Sequence, residues 1–198
     1  MLEIHAFSRL HIGPIDLDLG PGTCVSISGK SGAGKSVLLR MIADLDPHQG
    51  ECFLGGRARS AMSAPQWRRQ VKYVAAQSGW WDKVVAAHFP PDTDFATLLP
   101  AVGMVQQASG WPVERLSTGE RQRLALLRAL TPATRVLLLD EPTSGLDAAS
   151  VEQVEALLRD RMAQGVAILM VTHDPEQAGR MASRHLELSD GRLVEKPR

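Results

Sequence analysis

The segment Gly29-Lys30-Ser31-Gly32-Ala33-Gly34-Lys35-Ser36 limits what this chain can fold into more than any other stretch. It fits G-x-x-x-x-G-K-[ST], a loop that works only between a strand and a helix. The pattern supplies both neighbours. Thr23 to Ser28 reads as a strand, and Lys35 to Leu45 as a helix with Leu38, Met41, Ile42 and Leu45 on one face. Glycines let successive N–H groups turn inward onto phosphate oxygens, and the helix adds the positive end of its dipole. Gly29, Ser31, Gly32, Ala33 and Gly34 are the candidate cradle, continued by Lys35, Ser36 and Val37. Lys35 would neutralise β- and γ-phosphates, and Ser36 would offer its hydroxyl to Mg²⁺.

A second constellation follows a hundred residues on. Val136-Leu137-Leu138-Leu139 is an unbroken apolar run, as expected of a parallel strand covered on both faces, and it delivers Asp140 and Glu141 at its C-terminal end. Asp140 would sit near the metal and Glu141 would polarise an attacking water. Taken alone, the pair equally suits a helix cap. Ala167 to Thr172 reads as another buried strand, and Ala148 to Met162 as a helix with Val151, Val154, Leu157, Leu158 and Met162 at helical spacing. Near the start, Leu2 and Ile4, then Ile15, Leu17 and Leu19, alternate as strands do. Strands alternating with helices predict an α/β fold.

The length of 198 residues suits one domain. Within it, residues 1–77 and 131–198 read as a core with a β subdomain. Residues 78–130 read as a helical insertion that carries three Trp and the Pro90-Pro91 pair. Lys plus Arg equals Asp plus Glu at 22 each, so no general basic field favours nucleic acid, and direct nucleic-acid binding is not expected. The longest apolar run, Val166 to Val171, is far too short to span a bilayer. Cys24 and Cys52 fit no metal spacing and read as reduced core residues.

With these motifs in order, the chain resembles the ABC ATPase family along nearly its whole length. Leu116-Ser117-Thr118-Gly119-Glu120 resembles the family's signature, and Ser144-Gly145-Leu146-Asp147 its D-loop. His173 resembles the switch histidine, and Gln77 stands where the family has its Q-loop glutamine. Each short match has a plainer reading, a turn for Ser144–Asp147 and a cap for His173. The resemblance implies a P-loop core with a parallel sheet, an N-terminal antiparallel β subdomain and an inserted α-helical signature subdomain. It also implies ATP and Mg²⁺ as cofactors, with Ser36, Gln77 and Asp140 near the metal. Two copies would sandwich ATP, so that Ser117, Gly119, Glu120 and Asp147 of one face the phosphates held by Lys35 of the other. Glu141, His173, Lys35 and Gln77 would carry the hydrolysis. A separate transmembrane permease subunit would dock on the helical subdomain near Trp80 and Trp81, placing the protein in the cytoplasm on the inner face of the membrane.

The sequence also departs from that family. Thr118 and Glu120 replace the usual Gly and Gln of the signature, and Val37 replaces a common second hydroxyl. Leu10 and His11 stand where an adenine-stacking aromatic is usual, so His11 is either that platform or a surface histidine. The compact form, with no regulatory extension after Gly191, is similar to small ATPase subunits of bacterial exporters. Two other readings stay open: a soluble ABC-type ATPase without a membrane partner, and a P-loop kinase or GTPase. Of the adjacent tryptophans, one ring is expected to be exposed or to line a groove, unless both pack the insertion against the sheet.

Overall fold

A computed structural model of the chain describes residues 1–196. Two sheets form its frame. Strands β1 (Leu2–Arg9), β2 (Ile12–Leu19), β4 (Gln49–Leu54) and β5 (Arg57–Ala58) make an antiparallel sheet in the order β2-β1-β4-β5. The second sheet contains β3 (Cys24–Ser28), β6 (Val71–Val74), β7 (Val136–Asp140), β8 (Ala167–Val171), β9 (Arg184–Ser189) and β10 (Arg192–Lys196), in the order β10-β9-β3-β8-β7-β6. All its pairings are parallel except β9 with β10.

The period of two along each strand sorts its side chains onto two cores. Val136 and Leu138 join Val25, Ile27, the antiparallel sheet and helix α1 (Lys35–Ile42) in one apolar cluster. Leu137 and Leu139 join Ile168, Met170, helix α4 (Thr118–Ala129) and helix α5 (Ala148–Ala163) in the other. Cover on both faces is why β7 and β8 carry unbroken apolar runs. Cys24 and Cys52 are free and buried, as expected. No helix among the described residues is long and apolar enough to cross a membrane.

Helix α1 stops at Ile42, three residues short of the predicted end, and Leu45 is 43% exposed rather than on the apolar face. The cause is non-local. The indole of Trp67, in helix α2 (Ala64–Gln70), donates to the Ile42 carbonyl at 2.9 Å. Asp44 then takes φ 58°, with its carbonyl held by Arg68. The insertion is also less helical than expected before α4. It holds one four-residue helix, α3 (Phe95–Leu98), among short 3₁₀ turns. Pro90, Pro91, Pro100 and Pro112 interrupt any longer ladder, since proline lacks the N–H that such a ladder uses. In α5, Val154, Leu157 and Leu158 are buried while Val151 and Met162 are half-buried.

Candidate functional site

Because β3, β7 and β8 run parallel as neighbours, the residues that follow them emerge at one edge of the sheet, where open α/β sheets place their sites. β3 delivers the glycine-rich loop, β7 delivers Asp140 and Glu141, and β8 leads to His173. The loop has the backbone that phosphate binding needs. Gly29 has φ 143° and a Cβ there would overlap the Leu188 carbonyl oxygen; Gly34 has φ 98° and a Cβ there would run into Ile12. Lys35 is only 7% exposed, and its ammonium donates to the carbonyl oxygens of Gly29 at 2.7 Å and Lys30 at 3.0 Å. The lysine thus braces the loop from within. Ser36 is exposed on the first turn of α1, whereas the Val37 side chain packs against the first apolar cluster.

Asp140 is buried and accepts a hydrogen bond from the Tyr73 hydroxyl at 3.0 Å. Tyr73 did not stand out in the sequence. It faces Asp140 only because β6 pairs with β7 in a register that sets Tyr73 against Leu138. Burial and the neighbouring carboxylate push the Tyr73 hydroxyl well above its ordinary pKa, so it stays a donor. Mg²⁺ characteristically takes one or two protein ligands and keeps phosphate oxygens and water. One fixed carboxylate and one exposed hydroxyl fit that habit. No group of three or more His, Cys, Asp or Glu that could hold a metal occurs among the described residues.

Glu141 has φ 50°, a left-handed conformation that is rare for a side chain of this size. Its N–H donates to the Val171 carbonyl at 2.9 Å, and its own carbonyl accepts from the Ser144 N–H at 3.2 Å. This bend sets its carboxylate 3.3 Å from Nε2 of His173, with both side chains partly open to solvent. Backbone strain of this kind costs about 1–3 kcal/mol and concentrates at functional positions. Glu141, Ser144, Leu146 and His173 line one cleft of about 370 Å³.

The signature residues lie elsewhere. Ser117 caps α4, and with Glu120 it forms a reciprocal box: the Ser117 N–H donates to Glu120 at 2.8 Å and the Glu120 N–H donates to Ser117 at 3.2 Å. Glu120, expected at the nucleotide, is engaged at its own helix end. The nearest groups to a Cβ on Gly119 are Leu146 at 2.9 Å and the Gly145 carbonyl at 3.9 Å, not the phosphate loop. Asp147 caps α5, and the backbone N–H and hydroxyl of Ser150 hold its carboxyl below the ordinary value. Gln77 is exposed in the bend after β6. His11 is exposed, with Nε2 3.6 Å from the position of a Cβ on Gly34, which places it beside the phosphate loop.

The tryptophans divide. Trp80 packs on the second apolar cluster, while Trp81 is 71% exposed. Between them, buried His88 accepts the N–H groups of Trp81 and Asp82, both at 3.0 Å, on Nε2. The Arg128 guanidinium lies over both indoles, at 4.9 and 4.8 Å from the ring centres. Trp81 lines a groove of about 360 Å³ with Tyr73, His88 and Arg128.

Residues 12–144 match the ABC transporter family. The chain is 40% identical over 189 residues to the aliphatic sulfonates import ATP-binding protein SsuB 2 of Paracoccus denitrificans, covering 92% of this chain and 73% of that one. It is 34% identical over 188 residues to SsuB of Burkholderia pseudomallei, spanning 94% of this chain but 57% of that relative's length. Among solved structures, the dimeric ATP-binding cassette MJ0796 in a post-hydrolysis state with ADP and Pi superposes with TM-score 0.86 at 24% identity, over 99% of this chain and 98% of that one. A bacterial Atm1-family ABC exporter with ATP bound gives 0.82 at 21%, over 98% of this chain and 38% of the exporter. At such identities the structures share the fold. The expected kinship with exporters is overturned, since the two relatives above are named as import proteins and the exporter likeness extends to fold alone. The chain belongs to the ABC transporter family, as one of its ATP-binding, ATP-hydrolysing subunits with Mg²⁺ as cofactor.

Proposed function

We propose that this chain is the ATP-driven motor of an ABC importer, acting as a pair of copies beneath a separate membrane permease. The observation that carries the pairing is the position of Gly119, against Leu146 and Gly145 rather than the phosphate loop. The α4 N-terminus, with its dipole and the Thr118 and Gly119 N–H groups that the Ser117–Glu120 box does not use, is thereby left for the phosphates of a second copy. In this reading the loop from Gly29 to Ser36 wraps the phosphates, and Lys35 turns from the loop carbonyls to the β- and γ-oxygens. Mg²⁺, when bound, neutralises phosphate charge next to Ser36 and Asp140, with Gln77 reaching toward it. Glu141 takes a proton from the attacking water, and His173 steadies the Glu141 carboxylate and the γ-phosphate. His11, beside the loop, is the candidate adenine platform. Import follows the relatives, and aliphatic sulfonates, which their names give, are the cargo to test first.

Light scattering tests the pairing. The protein is expected to be monomeric without nucleotide and to dimerise in saturating Mg-ATP, most completely as Glu141→Gln, in which closure is not released by hydrolysis. A monomer that stays monomeric in both forms overturns the composite site.

On this reading the permease would dock at Trp81, supported by its exposure. An exposed indole beside a groove is the kind of residue whose loss costs about 2 kcal/mol or more of binding. Trp81→Ala is expected to weaken capture of the permease about thirtyfold, while thermal stability and the ATPase of the free protein stay near wild type. Trp80→Ala, which removes a packed ring, is expected to melt earlier. Undiminished capture by Trp81→Ala moves the docking surface elsewhere.

A further inference from the structure

Helix α6 (Pro175–Met181) starts immediately after His173 and Asp174, and one turn along it stands Gln177. Gln177 is 0% exposed. Its Nε2 donates to the Thr143 hydroxyl at 2.7 Å, and its Oε1 has no hydrogen-bond partner. Thr143 lies two residues after Glu141, in a pair of turns: Ser144 N–H donates to the Glu141 carbonyl, and Leu146 N–H to that of Thr143. On the other side, the Asp174 carboxylate caps α6 by accepting from Glu176 and Gln177, while the Thr172 hydroxyl accepts from Asp174 N–H. The Gln177–Thr143 bond therefore joins the His173 loop to the segment that carries Glu141.

A buried amide with one satisfied atom is a poor way to stabilise a fold. An unpartnered buried acceptor costs about 1–3 kcal/mol, and a methionine would fill similar volume with no polar atom left over. What the amide provides is a directional tie between two chain segments whose side chains, Glu141 and His173, stand 3.3 Å apart. We infer that Gln177 is a positioning residue for hydrolysis, holding the His173 loop and the Glu141 turn at a fixed separation through Thr143. The inference rests on the roles proposed above for Glu141 and His173.

The test uses Gln177→Met, Thr143→Val and their double variant, each measured for kcat, for the KM of Mg-ATP and for melting temperature. Thr143→Val strands the whole amide and is expected to lower both melting temperature and kcat. Gln177→Met frees only a half-buried hydroxyl, so its melting temperature should hold or rise while kcat falls about tenfold and KM stays within about twofold. The double variant should regain the melting temperature yet remain about tenfold slow, no slower than either single change. A double variant that turns over at the wild-type rate, or a Gln177→Met protein with unchanged kcat, overturns the inference. Glu141→Gln, run alongside, separates the two levels: its slow turnover beside fast Gln177→Met rejects the tie alone, and fast turnover of Glu141→Gln rejects the site reading and the tie with it. If Thr143→Val does not fold, Gln177→Met decides.

Discussion

Glu141→Gln is expected to bind Mg-ATP as tightly as the wild type and to hydrolyse it at least about 10²-fold more slowly, the range lost when a positioned general base is removed. The geometry explains why affinity should survive. In the proposed site, phosphate charge would be met by the loop and Lys35, which the exchange leaves untouched, and Gln matches Glu in volume. The backbone should survive as well, because the bend at φ 50° is fixed by the Glu141 N–H on the Val171 carbonyl and by Ser144 on the Glu141 carbonyl, bonds that do not involve the side chain. Only the capacity to accept a proton is lost. Single-turnover hydrolysis with titrated ATP binding checks both halves. Turnover within about threefold of wild type would move the base elsewhere, with His173, 3.3 Å away, the first alternative.

How much of this was legible in the sequence depended on whether a feature is local. The glycine-rich motif, the runs that form β7 and β8, and Asp140-Glu141 at a strand end are each written in fewer than ten consecutive residues, and each lies in the fold where its local pattern puts it. The end of α1 was misread because it is set by Trp67, 25 positions away from the carbonyl it holds. Tyr73 was missed because its bond to Asp140 spans 67 positions and depends on which strand lies beside β7. Gln177 and Thr143, 34 positions apart, meet only once α6 has docked. The left-handed backbone at Glu141 is likewise non-local, since the Val171 carbonyl that accepts its N–H arrives on β8, paired with β7. In the insertion, the prolines were visible from the outset, and their cost to helix continuity outweighed the helical patches between them. Sequence motifs thus located the candidate site, while its neighbours came from strand register and helix packing.

Lys35→Met should separate phosphate charge from phosphate shape. Lys35 is nearly buried and its ammonium donates to two loop carbonyls, so at rest it serves the loop itself. Methionine keeps most of the stem and its packing but presents no charge. Two losses follow. The carbonyls of Gly29 and Lys30 no longer converge on a shared donor, which loosens the curl that aims the N–H groups. The β- and γ-oxygens also lose a charge-assisted partner, and a hydrogen bond to a charged group contributes about 1.5–3 kcal/mol. Together they predict about hundredfold weaker Mg-ATP binding, or about 2.7 kcal/mol. Arginine should not rescue, because its planar fork cannot replace a compact ammonium in so closed a cradle. Isothermal titration with Mg-ATP, beside a thermal melt without nucleotide, gives the answer. Affinity within about threefold of wild type would mean that backbone N–H groups and the α1 dipole suffice to hold the phosphates. A melt lowered in parallel with affinity would instead assign Lys35 mainly to the shape of the loop.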